Sequence, residues 1–283
     1  MTIDSSVEQA IELVAGARHV VALTGAGIST PSGIPDYRTP KSGLWENALD
    51  MMEVASIAGF RRHPQTFYEW LRPLLEVIRQ ATPNPAHLAL AQLEAAGRLQ
   101  AVITQNIDLL HGAAGSKNLY ELHGHLRELV CTTCHYVVPA GAALETFLNT
   151  GQVPRCARCR HVMKPNVVLF GELLPWKAMR LSRSHTRAAD LMIVAGSSLE
   201  VAPAGDLPEM AREHGARLII INYLETHLDE QADVVIRADV AEMLPRLAEP
   251  FLPRPAPPEP PPAPAGVAAA SKNLSCGGVR MER

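Results

Sequence analysis

The chain has 283 residues, enough for one large domain or a large domain joined to a small one. It is 47% hydrophobic and 19% charged, as globular proteins are, and its net charge of −3 gives no basic field of the kind duplex-binding proteins use. No apolar run approaches the roughly 20 residues of a membrane-spanning helix, and the start "MTIDSSVEQAIEL" has Asp4 and Glu8 instead of a basic secretory leader, so a cytoplasmic protein with no membrane partner is expected.

In chain order, the first apolar run is "HVVALTG" from His19, which reads as a buried parallel strand opening into "TGAGISTPSGIPDYR". Gly25 and Gly27 would let the backbone approach a pyrophosphate closely, and Ser29 and Thr30 add hydroxyl donors. A glycine turn can equally serve only to pack a helix on a strand. The dehydrogenase fingerprint is incomplete: Thr30 stands where G-x-G-x-x-G needs its third glycine, and no acidic residue ends a second strand about 20 residues on. An ordinary hydride-transfer enzyme is therefore disfavoured. Residues 39–83 break the strand rhythm with "FRRHPQTFYEWLRPLLEVIRQ", helical in pattern, and read as an insertion belonging to a smaller lobe. Then "PNPAHLALAQLEAAGR" reads as a helix with Leu88, Leu90, Ala91 and Leu93 on one face and Gly97 as its stop. The run "LQAVITQ" from Leu99 is a second strand. It ends in the polar "QNIDLLHG", and "LYELHG" follows as a short strand with His123 near its end.

Residues 126–163 interrupt the rhythm again. They hold Cys131 and Cys134 in one C-x-x-C and Cys156 and Cys159 in another, 21 residues apart, the pattern of a structural zinc site with four thiolates. Two disulfides or plain buried thiols are the alternatives, disfavoured without a secretory signal. His135 and His161 lie close by, but four sulfurs already complete the site. The chain continues through "KPNVVLFGELLP", in which "NVVLF" can also be read simply as an edge strand. It then reaches "DLMIVAGSSLEV", which puts Gly196, Ser197 and Ser198 at a strand end. The runs "RLIIIN", ending in Asn222, and "DVVIRAD" from Asp233 complete the series. Small hydroxyl and amide residues at successive strand ends suit a nucleotide's phosphates and ribose better than helix capping alone. Strands alternating with helices indicate an α/β fold with a doubly wound parallel sheet, built from 1–38, 84–125 and 164–250. In residues 251–283 the stretch "PRPAPPEPPPAP" has eight prolines in twelve positions, which predicts a disordered tail; Cys276 stands alone in it.

"TGAGISTPSGIPDYR", "TQNIDLLHGAAG", "ELHG", the two C-x-x-C pairs, "KPNVVLFGELLP", "GSSLEVAPA" and "IN" occur in the order seen in sirtuins. Over roughly residues 5 to 250 the chain resembles that family of NAD-dependent protein lysine deacylases. The resemblance implies a large Rossmann-like domain and a small helical and zinc-binding lobe, with NAD and an acyl-lysine peptide enclosed between them. It implies a reaction in which the acyl oxygen attacks C1′ of the nicotinamide ribose and nicotinamide leaves. A base then activates a ribose hydroxyl, and the products are deacetylated lysine and O-acetyl-ADP-ribose.

His123 matches the family's catalytic base, a role imidazole suits through a pKa near neutrality. Asn106, also catalytic, and Asp108 match residues around the nicotinamide end, Gln105 one at the ribose, and Ile107 an apolar wall. Asp36, Tyr37 and Arg38 match a mobile loop over NAD, in which the family usually has Phe where this chain has Tyr37. Ala26, Tyr223 and Val240 complete the implied cofactor set. Val168, Phe170, Gly171 and Glu172 match the segment that pairs with the substrate backbone as an added strand, with Phe170 and Val168 as walls of an apolar tunnel for the acyl-lysine stem. His111 and His125 have no matching role and are expected to be structural or exposed. Family members that prefer acidic acyl groups share a Tyr-x-x-Arg pair. Here Tyr68 is followed at that distance by Leu71, with Arg72 one step and about 100° away, so a deacetylase is expected. Alternatives are deacylation of other neutral groups or mono-ADP-ribosyl transfer; a zinc-ribbon module for nucleic acid and a silent NAD sensor are disfavoured.

Overall fold

The structure, a computed structural model, describes residues 2–36 and 53–253; Tyr37, Arg38, Cys276 and nearly all of the proline-rich stretch lie outside it. The elements in chain order are α1 (Ile3–Gly16), β1 (Val20–Thr24), α2 (Ile57–Arg62), α3 (Pro64–Gln80), α4 (Pro85–Ala95) and β2 (Ala101–Thr104). There follow α5 (Leu110–Ala114), β3 (Leu119–Glu121), β4 (Gly124–Cys131), β5 (Val137–Pro139), α6 (Gly141–Thr150) and β6 (Met163–Val167). The last group is α7 (Trp176–Ala188), β7 (Leu191–Ala195), α8 (Leu207–Glu213), β8 (Arg217–Ile221), β9 (Val234–Ile236) and α9 (Val240–Ala248).

The five Val, Ile and Leu runs become β1, β2, β7, β8 and β9, and with β3 they form a six-stranded sheet of order β3-β2-β1-β7-β8-β9, parallel at every pairing. Every residue of β1, β2 and β7 is buried because helices cover both faces. Strand side chains alternate accordingly. Val20 and Ala22 join the cluster made with α1, α4 and α9, while Val21 and Leu23 join the one made with α8 and Met179 of α7. The chain starts mid-sheet, builds outward through β2 and β3, then returns to lay β7 against the other side of β1. Order therefore reverses between β1 and β7, and ligand sites of open α/β sheets form at such a reversal.

The helix expected before β2 is present, capped by Asn84 and ended at Gly97, whose φ is +72°. Its buried face differs from the expected one. Leu88 is 44% exposed, while Ala86, His87, Ala89, Leu90 and Leu93 are buried. At about 100° per residue, Leu88 and Leu90 sit on nearly opposite sides, so apolar count misjudged the face that geometry selects.

A second sheet, three-stranded and antiparallel with order β5-β4-β6, packs with α2, α3 and α6 around Phe60, Phe67, Tyr68, Leu71 and Phe147. Tyr68 is fully buried, and its hydroxyl donates to the Met163 carbonyl at 2.8 Å, which ties α3 to β6. Strand β6 lies at the sheet's edge. Among the described residues no helix is long and apolar enough to cross a membrane.

Leu90→Ala should lower unfolding stability by about 2–5 kcal/mol, whereas Leu88→Ala should change it by no more than about 0.5 kcal/mol. Denaturant unfolding of the two variants checks this, and equal losses would contradict the packing described.

Candidate functional site

At the carboxyl ends of β1 and β7 two turns meet backbone to backbone. The Gly27 N–H donates to the Gly196 carbonyl at 2.8 Å. A Cβ on Gly27 would lie 2.9 Å from the Gly196 Cα, and one on Gly25 would lie 2.9 Å from the Gly196 oxygen. Gly196 has φ +62°, and a Cβ there would stand 2.2 Å from the Ile28 nitrogen. The glycines thus have an intrachain reason, close packing of two turns, and that packing also leaves bare backbone on the wall of a cavity of about 1280 Å³.

That cavity gathers most of the expected residues. The first turn gives Gly25, Ala26, Gly27, Thr30 and Asp36; the end of β2 gives Gln105, Asn106 and Ile107; His123 follows. Val168, Phe170, Gly171 and Glu172 line it from the small-sheet side, and Gly196, Ser197, Ser198, Asn222, Tyr223 and Val240 line it beyond β7, β8 and β9. Glycine backbone flanked by Ser197, Ser198 and Asn222 fits a phosphate- and ribose-bearing ligand such as NAD. Some of these polar groups also hold one another: Gln105 Nε2 donates to Ser197 Oγ at 2.9 Å, and Thr30 Oγ1 to the Gly27 carbonyl at 3.0 Å.

Asp108 lies behind this wall. It is 6% exposed, its Oδ2 accepts from Ser29 Oγ at 2.6 Å, and its Oδ1 accepts from the Leu110 N–H at 2.9 Å. Burial raises its carboxyl above the usual range, and these hydrogen bonds act against the shift. Asn106 Nδ2 donates to the Gly25 carbonyl at 3.0 Å and reaches Ser29 Oγ at 3.1 Å. Deeper still, His111 places Nε2 2.9 Å from Thr24 Oγ1 and packs edge-on to His87, with ring centroids 4.8 Å apart. Burial, helped by His87, pushes His111 down to about 3, and burial takes His87 to about 4. Both rings are uncharged at neutral pH. Sequence reasoning missed His87; its signal was the Asn84-to-His87 spacing of a capping box at the start of α4.

His123 occupies the short link between β3 of the large sheet and β4 of the small one. Its Nδ1 is 2.9 Å from the Gln105 carbonyl, which can only accept, so Nδ1 carries the proton and Nε2 has the free lone pair. Burial lowers its pKa below 6.5, and the Gln105 carbonyl partly opposes this. Gly124, next in chain, has φ +75°, and a Cβ there would stand 2.2 Å from the Asn166 carbonyl oxygen. Only glycine lets β4 approach β6 this closely, and the Val168 N–H then donates to the His123 carbonyl at 2.8 Å.

In the 164–172 segment two of the expected residues already have partners within the chain. The Phe170 N–H donates to the Ala55 carbonyl and its own carbonyl accepts from the Ile57 N–H, each at 3.0 Å, so its backbone is engaged within the chain. Its 45% exposed ring is the part left to the cavity. Glu172 lines the cavity, but its Oε2 accepts from buried Lys164 Nζ and from the Leu169 N–H, both at 2.9 Å. From α3 the cavity receives Phe67, Trp70, Leu71 and Leu74. Arg72 turns away, donating to the carbonyls of Leu148 at 2.6 Å and Phe147 at 3.2 Å, with its guanidinium over the Phe147 ring.

The sulfurs of Cys131, Cys134, Cys156 and Cys159 all lie within 4.8 Å of one another, with pairs at 3.4 and 3.5 Å. Tetrahedral zinc with bonds of about 2.3 Å needs sulfurs roughly 3.8 Å apart, so the donor set fits zinc closely. His135 and His161 are not in the cluster.

A profile described as the Sir2 family matches residues 25–203. "NAD-dependent protein deacetylase 1" of Pyrobaculum aerophilum is 44% identical over 243 residues, 86% of this chain and 94% of that protein. A solved structure described as "Sir2-p53 peptide-NAD+" matches with TM-score 0.78 and 42% identity, covering 86% of this chain and 98% of that one. A Sir2 variant holding a deacetylated p53 peptide and 3′-O-acetyl-ADP-ribose matches with TM-score 0.81 and 40% identity, covering 87% and 99%.

The purified chain should carry one zinc ion, and chelating it should disrupt the β4–β5–β6 sheet, because fully buried Cys131 and Cys156 belong to that lobe's core. Metal analysis with thermal unfolding before and after chelation tests this; unchanged melting of the metal-free protein would contradict it.

Proposed function

The chain belongs to the Sir2 family, and on that footing we propose how its cleft works as an NAD-dependent protein deacetylase. It acts on acetylated lysine in peptides, consumes NAD and yields O-acetyl-ADP-ribose. NAD, when bound, supplies an electrophilic sugar carbon: C1′ of the nicotinamide ribose takes up the acetyl oxygen as nicotinamide leaves.

The observation that carries the residue assignment is the His123–Gln105 hydrogen bond. It fixes the tautomer whose Nε2 can take a proton from a ribose hydroxyl and later return it. Burial disfavours the imidazolium, so the proton is readily given back, while the Gln105 carbonyl keeps the charged form attainable. Asn106 shares that wall with its Nδ2 fixed, which leaves Oδ1 to a nicotinamide carboxamide. Asp108 acts from behind by holding Ser29, and Ser29 in turn contacts Asn106. The turns at Gly25–Gly27 and Gly196–Ser198 hold the phosphates, with Asn222, Tyr223 and Val240 beyond them. Val168, the Phe170 ring and Gly171 border the acyl-lysine, and the Lys164–Glu172 pair holds their segment in place. The apolar wall from α3 suits acetyl and longer neutral acyl groups. With Leu71 in that wall and Arg72 turned away, a buried carboxylate would lack a cation there.

The division we propose gives 84–125 and 164–250 to the large-sheet domain and 126–163 to the small lobe; the expected boundary between 38 and 39 lies outside the described residues. Of its boundaries, 125/126 falls within β4 and 163/164 within β6, both strands of the small sheet. The four cysteines as zinc-binding thiolates favour a reducing, cytoplasmic setting.

Incubation with an acetylated peptide and NAD should release nicotinamide and O-acetyl-ADP-ribose, and His123→Ala should lower kcat by about 10²–10⁴-fold. Because the base must be neutral and burial lowers its pKa, kcat/KM should rise with pH through a midpoint below 6.5. Undiminished turnover by the alanine variant removes His123 from the role, and a midpoint above 6.5 contradicts the burial argument.

Turnover of one peptide carrying acetyl, propionyl or succinyl in turn should fall steeply for succinyl. Faster desuccinylation would overturn the reading of Leu71 and Arg72.

A further inference from the structure

Helix α7 carries Lys177, Arg180, Arg183 and Arg187 and no acidic residue along its thirteen positions, in a chain with more acidic than basic residues overall. Trp176, Arg180, Arg183 and Arg187 follow one another at spacings of four, three and four, which puts them on one stripe. Met179, Ser182 and Thr186 form the buried face instead. Like charges at these spacings repel, so the stripe is not there for helix stability. Trp176 is 73% exposed, and the Arg180 guanidinium lies 5.6 Å from its ring centroid. Among the described residues, no side chain makes a hydrogen bond or ion pair with Arg180, Arg183 or Arg187.

The stripe is also no remote surface. Trp176, Arg180, Arg183 and Arg187 line the same cavity as His123 and Val168 and follow on from Leu173 and Leu174 in its wall. Residues 200–203, in the loop that follows β7, line it as well. Two acidic side chains of that wall, Glu172 and Glu200, are already engaged within the chain, Glu172 by Lys164. None of the three arginines belongs to the catalytic set around His123.

We propose that this arginine stripe is a docking wall for an acidic stretch of the acetylated protein, flanking the acetyl-lysine on one side. From Trp176 to Arg187 the helix rises about 16 Å, which matches roughly five residues of extended peptide. Guanidinium groups bind carboxylates in pairs of parallel hydrogen bonds and suit such a partner better than lysines would. Trp176 adds an apolar platform at the end nearest the Leu173–Leu174 wall. The inference rests on the deacetylase reading, because the acetyl-lysine is what anchors the flanking residues.

The test uses the full chain and length-matched acetylated peptides whose flanks, on either side, are acidic or neutral. For one side, KM for the acidic peptide should be about tenfold lower than for the neutral one at low salt, with similar kcat. The advantage should shrink toward unity as salt rises, since exposed ion pairs are screened. In a variant combining Arg180→Gln, Arg183→Gln and Arg187→Gln, the ratio of the two KM values should fall to near one. Turnover of the neutral peptide shows that the underlying reading holds; if no peptide is turned over, that reading fails as well. Equal KM values in the unaltered chain overturn the proposal, and so does a preference for acidic flanks that survives in the triple variant. A triple variant whose KM rises for NAD in place of peptide overturns it in favour of a cofactor contact. Loss of duplex DNA binding with the peptide ratio unchanged overturns it in favour of nucleic acid.

Discussion

The close approach of Gly27 to Gly196 is the constraint from which the site is built. Strand order reverses between β1 and β7, so the turns leaving those strands must diverge around whatever sits above the sheet. Here they also touch, with the Gly27 N–H on the Gly196 carbonyl and no room for a Cβ on either side. A side chain at any of these positions would separate the turns and shift Ser29 and Ser197, which carry the next layer of contacts. Ser29 holds Asp108 and meets Asn106, and Ser197 receives Gln105. The strand-end residues are therefore placed relative to one another by a contact that involves no side chain.

His123 inherits its position from that frame. Its imidazole is oriented by the Gln105 carbonyl, and Gln105 is bonded through its N–H to the Thr24 carbonyl at the end of β1. Its backbone faces the other way and takes the Val168 N–H of the small-lobe side. One residue thus joins the nucleotide-facing sheet to the segment bordering the acyl-lysine. The neighbouring Gly124 is the local condition for that junction, just as Gly196 is for the turns. Lys164 performs a parallel task from the far side: buried, with its pKa lowered by burial and supported by Glu172, it fixes the loop that carries Val168 and Phe170.

What could be read from sequence was whatever depends on local pattern. Strands buried on both faces are continuous apolar runs, and paired C-x-x-C motifs state their ligands outright. The departures arise where tertiary geometry chooses among locally equal options. Leu88 looks as apolar as Leu90, and only the helix's rotation on the sheet separates them. Phe170 sits in an edge segment, but the 55–57 stretch claims its backbone, and nothing local announces a partner more than a hundred residues away. Glu172 and Asp108 have the chemistry of binding residues, yet each satisfies donors of its own loop first, because a buried carboxylate needs hydrogen bonds.

The same need explains why the layer beneath Asn106 contains histidines that carry no charge. A carboxylate at 6% exposure would ordinarily invite a buried counter-ion, and His87 and His111 are the titratable groups within the layer. Pushed to about 4 and about 3, they cannot supply one near neutral pH. The support for Asp108 comes from a hydroxyl and a backbone N–H instead. Electrostatics makes that arrangement apt. The nicotinamide ring of NAD is cationic while it remains bonded to the ribose, and a fixed protein cation behind Asn106 would repel it at short range in a weakly screened interior. Neutral donors hold the Asp108 carboxyl without that repulsion. The imidazoles meanwhile fill space between α4 and the strand ends through edge contact, with His111 bonded to Thr24 and His87 to Ser29 and the Asn84 N–H. His111, the most conspicuous polar group after β2, therefore matters to this layer through its packing and its neutrality.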